Sequence, residues 1–159
     1  MLAEIGLGLA VVVAGLWSGL LLTLTTILHP IYAGQDGRGF ATELRLFLPV
    51  ARRSPTNHVL VSGLVLAPAL ALVGLRDEPA STEFVLTATG LALTVLGPLL
   101  VSRFLAEPNY EVILGWDPAA VPADWRDTRR RYFTLNWLRA ALTWIAFGLF
   151  LAAAHAHLT

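Results

Sequence analysis

No cysteine occurs anywhere in the chain. Disulfides, thiolate nucleophiles, iron–sulfur clusters and cysteine-ligated zinc are therefore excluded. Lysine is missing too, since all eleven basic residues are arginine. A GC-rich genome would produce this bias, as would a need for always-charged, bidentate donors, and the first is the simpler reading. Charge as a whole is scarce. Charged residues make up 14% of the sequence, against about 25% in an average soluble chain. The formal net charge is zero, so nothing in it suits a nucleic-acid backbone as partner. Internal repeats and low-complexity tracts are also lacking.

What the sequence has is apolar length. Of its 159 residues, 56% are hydrophobic, and the mean hydropathy is +0.66. These values indicate one integral membrane domain over residues 1–159. Four apolar segments, at about 5–28, 57–75, 83–105 and 133–154, are each long enough to cross a hydrocarbon core of roughly 30 Å at about 1.5 Å per residue. The predicted fold is all-α: an antiparallel four-helix transmembrane bundle with two long connections on one side.

The first apolar run, Ile5–Leu28, follows Glu4 and no basic side chain. It exceeds the roughly 7–15 residues of a signal-peptide core, so a retained span is expected. Gly6, Gly8, Gly15 and Gly19 suit close helix approach. Ser18, Leu22, Thr25 and His29 share a face, and Pro30 is predicted to end the helix at His29. In the connection that follows, Phe40, Leu44 and Phe47 recur at helical spacing, which predicts a short amphipathic helix lying on the membrane surface. Asn57 and His58 open the second span, with Ser54 or Thr56 as its cap. Gly97-Pro98 predicts a kink in the third. This span is expected to leave the membrane through Glu107-Pro108-Asn109. A helix beginning near Pro122 would run into the fourth span. It would carry Trp125, Arg129, Tyr132, Asn136, Arg139 and Thr143 as one inward-facing stripe.

Arginine counts give the orientation. The two long connections together hold nine arginines, and the opposite side holds only Arg76. The positive-inside rule then predicts cytoplasmic connections and both termini outside, in a membrane expected to be a bacterial inner membrane. That topology brings His29, His58, Glu107, Asn109, Asn136 and Arg139 to one end of the bundle. Each has a plain explanation. The histidines would be interfacial residues, Glu107 a solvated charge and Asn109 a turn residue. Asn136 would be interhelical glue, and Arg139 would reach for headgroup phosphates or pair with Glu107 or Glu111. Arg129, Arg130 and Arg131 would meet anionic headgroups. The sharper explanation is a ligand site built from facing side chains.

His29-Pro30, Glu107-Pro108-Asn109, the following Trp116, and Asn136-Trp137-Leu138-Arg139 resemble the anthrone oxygenase-like family of small four-pass membrane proteins. The resemblance covers nearly the whole chain, and its motifs are short. It implies oxidation of an anthrone, or another enolisable aromatic, by O2 without flavin or metal, and so no cofactor. It carries over Asn109, Asn136 and Arg139 as site residues. The chemistry then asks for a base, for which His29 and His58 are the candidates, and for donors to the oxyanion, which Asn109, Asn136 and Arg139 would supply. Glu107, Trp116, Trp125 and Tyr132 are the expected substrate-binding residues, and the partners are a lipophilic small molecule, O2 and membrane lipid. Two other readings stay open. One is a scaffold or accessory subunit with a filled core and no cavity between His58 and Asn136. The other is a quinone- or metal-linked redox protein, with His29, His58 and Glu107 as a two-histidine, one-carboxylate set.

Overall fold

A computed structural model describes residues 1–159. The chain is all-α, with no strand. Five helical rods follow one another: α1 (Leu2–Ala33), α2 (Gly37–Arg53), α3 (Pro55–Gly74), α4 (Thr82–Gly115) and α5 (Trp125–Leu158). All but α2 are long and apolar enough to cross a membrane. Their outward faces carry large apolar side chains such as Val12, Leu16, Leu66, Leu96 and Ile145. That exterior suits a hydrocarbon solvent rather than water.

The helices pack antiparallel, and small residues set the spacing. Gly6 lies against the backbone of Ala71, and Gly74 against the backbone of Ala3. Farther along, Gly63 faces Val13. Between α4 and α5, Gly90 receives the ring of Phe150, where an added Cβ would stand 2.5 Å from Cε1. Without a hydrophobic drive between helices in lipid, such close backbone approach is a main source of association. Gly6→Val should therefore push α1 off α3. A loss of about 1–3 kcal/mol is expected, read as a lower midpoint of thermal unfolding in detergent. Gly8→Val is the control, because no atom lies within 4 Å of a Cβ at Gly8. Equal midpoints for the two variants would refute the close-approach argument.

Three helices outrun the membrane. α1 is 32 residues long and α4 and α5 are 34 each, whereas α3 has only 20. The pairings Gly6–Ala71 and Gly74–Ala3 place the start of α3 near the level of Leu22. From there α1 continues for about 17 Å at helical rise, together with α4 and α5. This three-helix extension marks the arginine-rich end, and α2 packs beside it.

Pro30 and Pro108 were expected to end helices, and they do not, while at Gly97-Pro98, the expected kink, the helix leaves regular α geometry. α1 passes through Pro30 to Ala33, and α4 passes through Pro98 and Pro108 to Gly115. A proline ring clashes with the carbonyl four residues back and leaves it unbonded. Both helices widen to a π-helical pitch where this would happen, over Leu24–Leu28 and Val95–Ala106. The His29 N–H bonds the carbonyl of Leu24 and the Glu107 N–H that of Ser102, each five residues back. The wider turn accommodates the ring, and such turns are frequent at functional sites. Glu107-Pro108-Asn109 is thus the middle of a helix rather than its exit. Only residues 116–124 separate α4 from α5.

The amphipathic helix also departs from expectation. α2 begins at Asp36, whose Oδ1 accepts the Gly39 N–H at 2.8 Å, as an N-cap should. Its apolar face does not lie on lipid. Phe40, Ala41, Leu44 and Leu48 are buried in one core with Tyr32, Tyr110, Ile113, Trp116 and Tyr132. The apolar stripe is the same for either destination, and the long extension of α4 and α5 supplies the protein surface that covers it.

Candidate functional site

A cavity of about 590 Å³ lies where α3 begins. Its walls come from all five helices. Trp17, Leu21, Leu24 and Leu28 of α1 give an apolar side, continued by Phe47 and Leu48 of α2 and Val61 of α3. Polar groups enter from Arg52, Ser54, Asn57, His58, Ser102, Glu107, Tyr110, Asn136 and Arg139. The size and the mix of apolar wall with a few convergent polar groups are those of a small-molecule site.

The back wall is a hydrogen-bonded cluster on α4 and α5. Arg139 Nη1 donates to Asn136 Oδ1 at 2.9 Å and to the Tyr110 hydroxyl at 3.1 Å. The Tyr110 hydroxyl donates to Asn136 Oδ1 at 3.3 Å. Asn136 Nδ2 donates to the Tyr132 carbonyl at 2.9 Å, one turn back on its own helix. Asn136 is fully buried and Tyr132 nearly so. This network fixes the guanidinium while using only one of its nitrogens. Nη2 makes no hydrogen bond, and Nε is buried without a partner. Buried donors are costly when unpaired. Three further donors on cavity-lining residues share this condition: Trp17 Nε1, Arg52 Nε and Ser102 Oγ. Those four atoms are fully covered, so the donor left open to a ligand's acceptor oxygen is Arg139 Nη2.

A second polar group closes the side toward α2. Arg52 Nη2 contacts Glu107 Oε2 at 2.5 Å and Glu111 Oε1 at 2.8 Å. The two carboxylates lie one helical turn apart on the face of α4 that meets α2. They are taken by Arg52, so Arg139 does not pair with either, contrary to the expected pairing. Ser54 caps α3, accepting the Asn57 N–H at 3.3 Å, while Asn57 Nδ2 donates to the Ala51 carbonyl at 3.0 Å. His58 Nδ1 lies 2.8 Å from the Ser54 carbonyl oxygen. A carbonyl only accepts, so Nδ1 carries a proton in this contact and Nε2 is the ring nitrogen left without a hydrogen bond.

Of the residues singled out from sequence, His58, Glu107, Tyr132, Asn136 and Arg139 line the cavity. The other four do not. His29 is buried behind the wall, its ring centroid 4.5 Å from that of Phe133 and 5.6 Å from that of Tyr132, with neither nitrogen hydrogen-bonded. Asn109 is turned to α5 and donates to the Thr128 carbonyl at 3.4 Å. Trp116 packs on Phe40 in the α2 core. Trp125 stacks under the guanidinium groups of Arg126 and Arg129, at 4.8 and 4.5 Å, and covers Gly37. Nor do His29, His58 and Glu107 form a metal set, for no three His, Asp or Glu side chains in the chain converge as ligands would.

Arg129 ties the start of α5 to the end of α1. Its Nη1 donates to the carbonyls of Tyr32, Ala33 and Gln35, at 3.2, 3.2 and 2.9 Å, and so caps the end of α1. Sequence reasoning missed Tyr110, Arg52, Ser102 and Trp17. Tyr110 was legible in principle: once Pro108 is allowed inside a helix, residues 107, 110 and 111 share a face. No protein-family model, curated protein or solved structure matches this chain.

Proposed function

We propose that the chain is a membrane-embedded oxygenase of an anthrone-like or other enolisable polycyclic aromatic, bound in the cavity at the arginine-rich end of the bundle. The nine-to-one arginine distribution supports a cytoplasmic position for that end. The observation that carries the reading is Arg139: a guanidinium held through Nη1, with Nη2 free, on the wall of a largely apolar cavity. Such a group stabilises an oxyanion that develops during reaction, and it does so without reorganising.

The reaction requires little else of the protein. A base removes one proton from the methylene between the two aromatic rings, and the charge passes to the ring-carbonyl oxygen facing Arg139. The anion gives one electron to O2, and the resulting radical and superoxide combine at the former methylene carbon. The peroxide takes a proton and loses water together with the remaining C–H hydrogen. One oxygen atom ends in the new carbonyl and the other in water. The substrate anion is itself the reductant of O2. His58, with Nε2 left without a hydrogen bond and its place on the cavity wall, is the base. A purely structural polar ring would fill its own core, and the open volume between His58 and Asn136 weighs against that alternative.

Purified protein mixed with anthrone in air should raise the quinone absorbance faster than the spontaneous oxidation does. A rate equal to the protein-free control would refute the proposal.

A further inference from the structure

The exposed residues among those lining the cavity are unevenly placed. Leu20 and Thr23 on α1, Val50 on α2, and His58 and Ser62 on α3 are exposed, whereas α4 and α5 contribute only buried or half-buried residues. The mouth therefore lies around the first turns of α3, and α4 and α5 close the back. Its surroundings are apolar. Leu16, Leu20 and Ile27 of α1, Leu46 and Val50 of α2, and Val59 and Leu66 of α3 are all exposed. The exposed cations nearest in the chain, Arg53 and Arg103, stand where the three long helices leave the level of α3. This is the placement of residues that anchor at lipid headgroups. On the side toward α4, by contrast, the Arg52 bridge to Glu107 and Glu111 crosses from α2 and restricts passage from water.

The cavity also has a polarity gradient along the bundle axis. The antiparallel register of α1 and α5 is fixed by Gly15 against Phe147 and by the Trp144 indole, which donates to the Ser18 carbonyl at 3.3 Å. That register puts Trp17 about six residues, or roughly 9 Å, toward the opposite end from Arg139. Charge and amide groups sit at the arginine-rich end, and Trp17, Leu20, Leu21 and Val61 sit at the level of the hydrocarbon.

We infer that the ligand is a bilayer-dissolved amphiphile that reaches the cavity sideways through this mouth. Its acceptor oxygen lies at Arg139 and its apolar body runs toward Trp17. The inference rests on the same cavity being the binding site, but its test does not depend on turnover.

The absence of cysteine makes the route measurable. Val61→Cys, at a half-buried lining position, places a single thiol on the cavity wall, and proteoliposomes of this variant can be treated with two thiol reagents, an apolar pyrenyl maleimide and a sulfonated maleimide that stays in water. After each rate is normalised to free cysteine, the apolar reagent should label at least roughly tenfold faster, because a sulfonate is excluded from hydrocarbon. Adding Leu20→Trp, which narrows the mouth, should slow the apolar reagent by about the same factor. Adding Leu22→Trp, exposed on the opposite face of the same helix and outside the lining, should not. Equal normalised rates, or an apolar rate indifferent to Leu20→Trp, would overturn lateral access, and so would a thiol unreactive to both reagents. Sideways labelling without anthrone turnover would leave the route standing and remove only the oxygenase.

Discussion

Replacing Arg139 with methionine should lower kcat for anthrone oxidation by about 10²–10³-fold, the range seen when one preorganised oxyanion donor is removed. Methionine keeps the length and most of the apolar stem that arginine packs against its neighbours. Asn136 Oδ1 would keep the Tyr110 hydroxyl as its donor, and Asn136 Nδ2 its bond to the Tyr132 carbonyl. The wall therefore survives, and only the charge and its free donors are lost. The effect should fall on kcat rather than KM, since the oxyanion exists after the proton has left and not in the bound ground state. Arg139→Lys should recover part of the rate. It restores a positive charge but not the planar fork that reaches Asn136 and Tyr110 from one nitrogen and presents a second. An Arg139→Met protein that keeps its thermal midpoint and turns over within about twofold of the parent would remove the guanidinium from the mechanism.

How much of this was legible in the sequence follows from which interactions are local. Apolar runs, caps and small residues act over one helix, so four long rods and the antiparallel packing were readable. The inward stripe of α5 was readable too, because 3.6-residue periodicity alone places Tyr132, Asn136 and Thr143 on one face, and all three are buried. The prolines were not. Whether proline ends a helix depends on whether the turn before it can widen, and residue type alone does not report that. Reading Pro30 and Pro108 as terminators shortened α1 and α4, and it made Asn109 a loop residue near the ligand when it is a helix-to-helix tie. It also sent the apolar face of α2 to the lipid, because the extension of α4 and α5 that covers this face had been taken for loop. Pairings across the fold were the least legible. Arg52 with Glu107 spans 55 positions, and Arg129 with the end of α1 spans more than 90. Trp116 and Trp125 show the same limit: aromatic residues near a site are more often packing than recognition, and contacts decide which.

The two histidines give the sharpest test, because sequence offered both as candidate bases and the structure separates them. His58 lines the cavity in the first turns of α3, with Nδ1 tied to the Ser54 carbonyl and Nε2 left as the basic nitrogen. His29 lies behind Tyr132 and Phe133 with no hydrogen-bond partner and no place in the lining. His58→Ala should slow turnover by about 10²–10⁴-fold, the usual worth of a positioned general base. Added imidazole, which partitions to the membrane interface in its neutral form, should restore part of the rate, since the deletion leaves room at the mouth of the cavity. Proton removal would then limit the reaction, and anthrone deuterated at the methylene should react more slowly in the variant than in the parent, relative to protium. His29→Phe should keep most of the activity, because an aromatic ring of similar size preserves the stacking on Phe133 and removes two unpaired buried nitrogens at once. Its thermal midpoint should hold or rise. The reverse pattern, with His29→Phe inactive though folded and His58→Ala unaffected, would mean that the base works from behind Tyr132. The cavity at the start of α3 would then not be where the proton leaves.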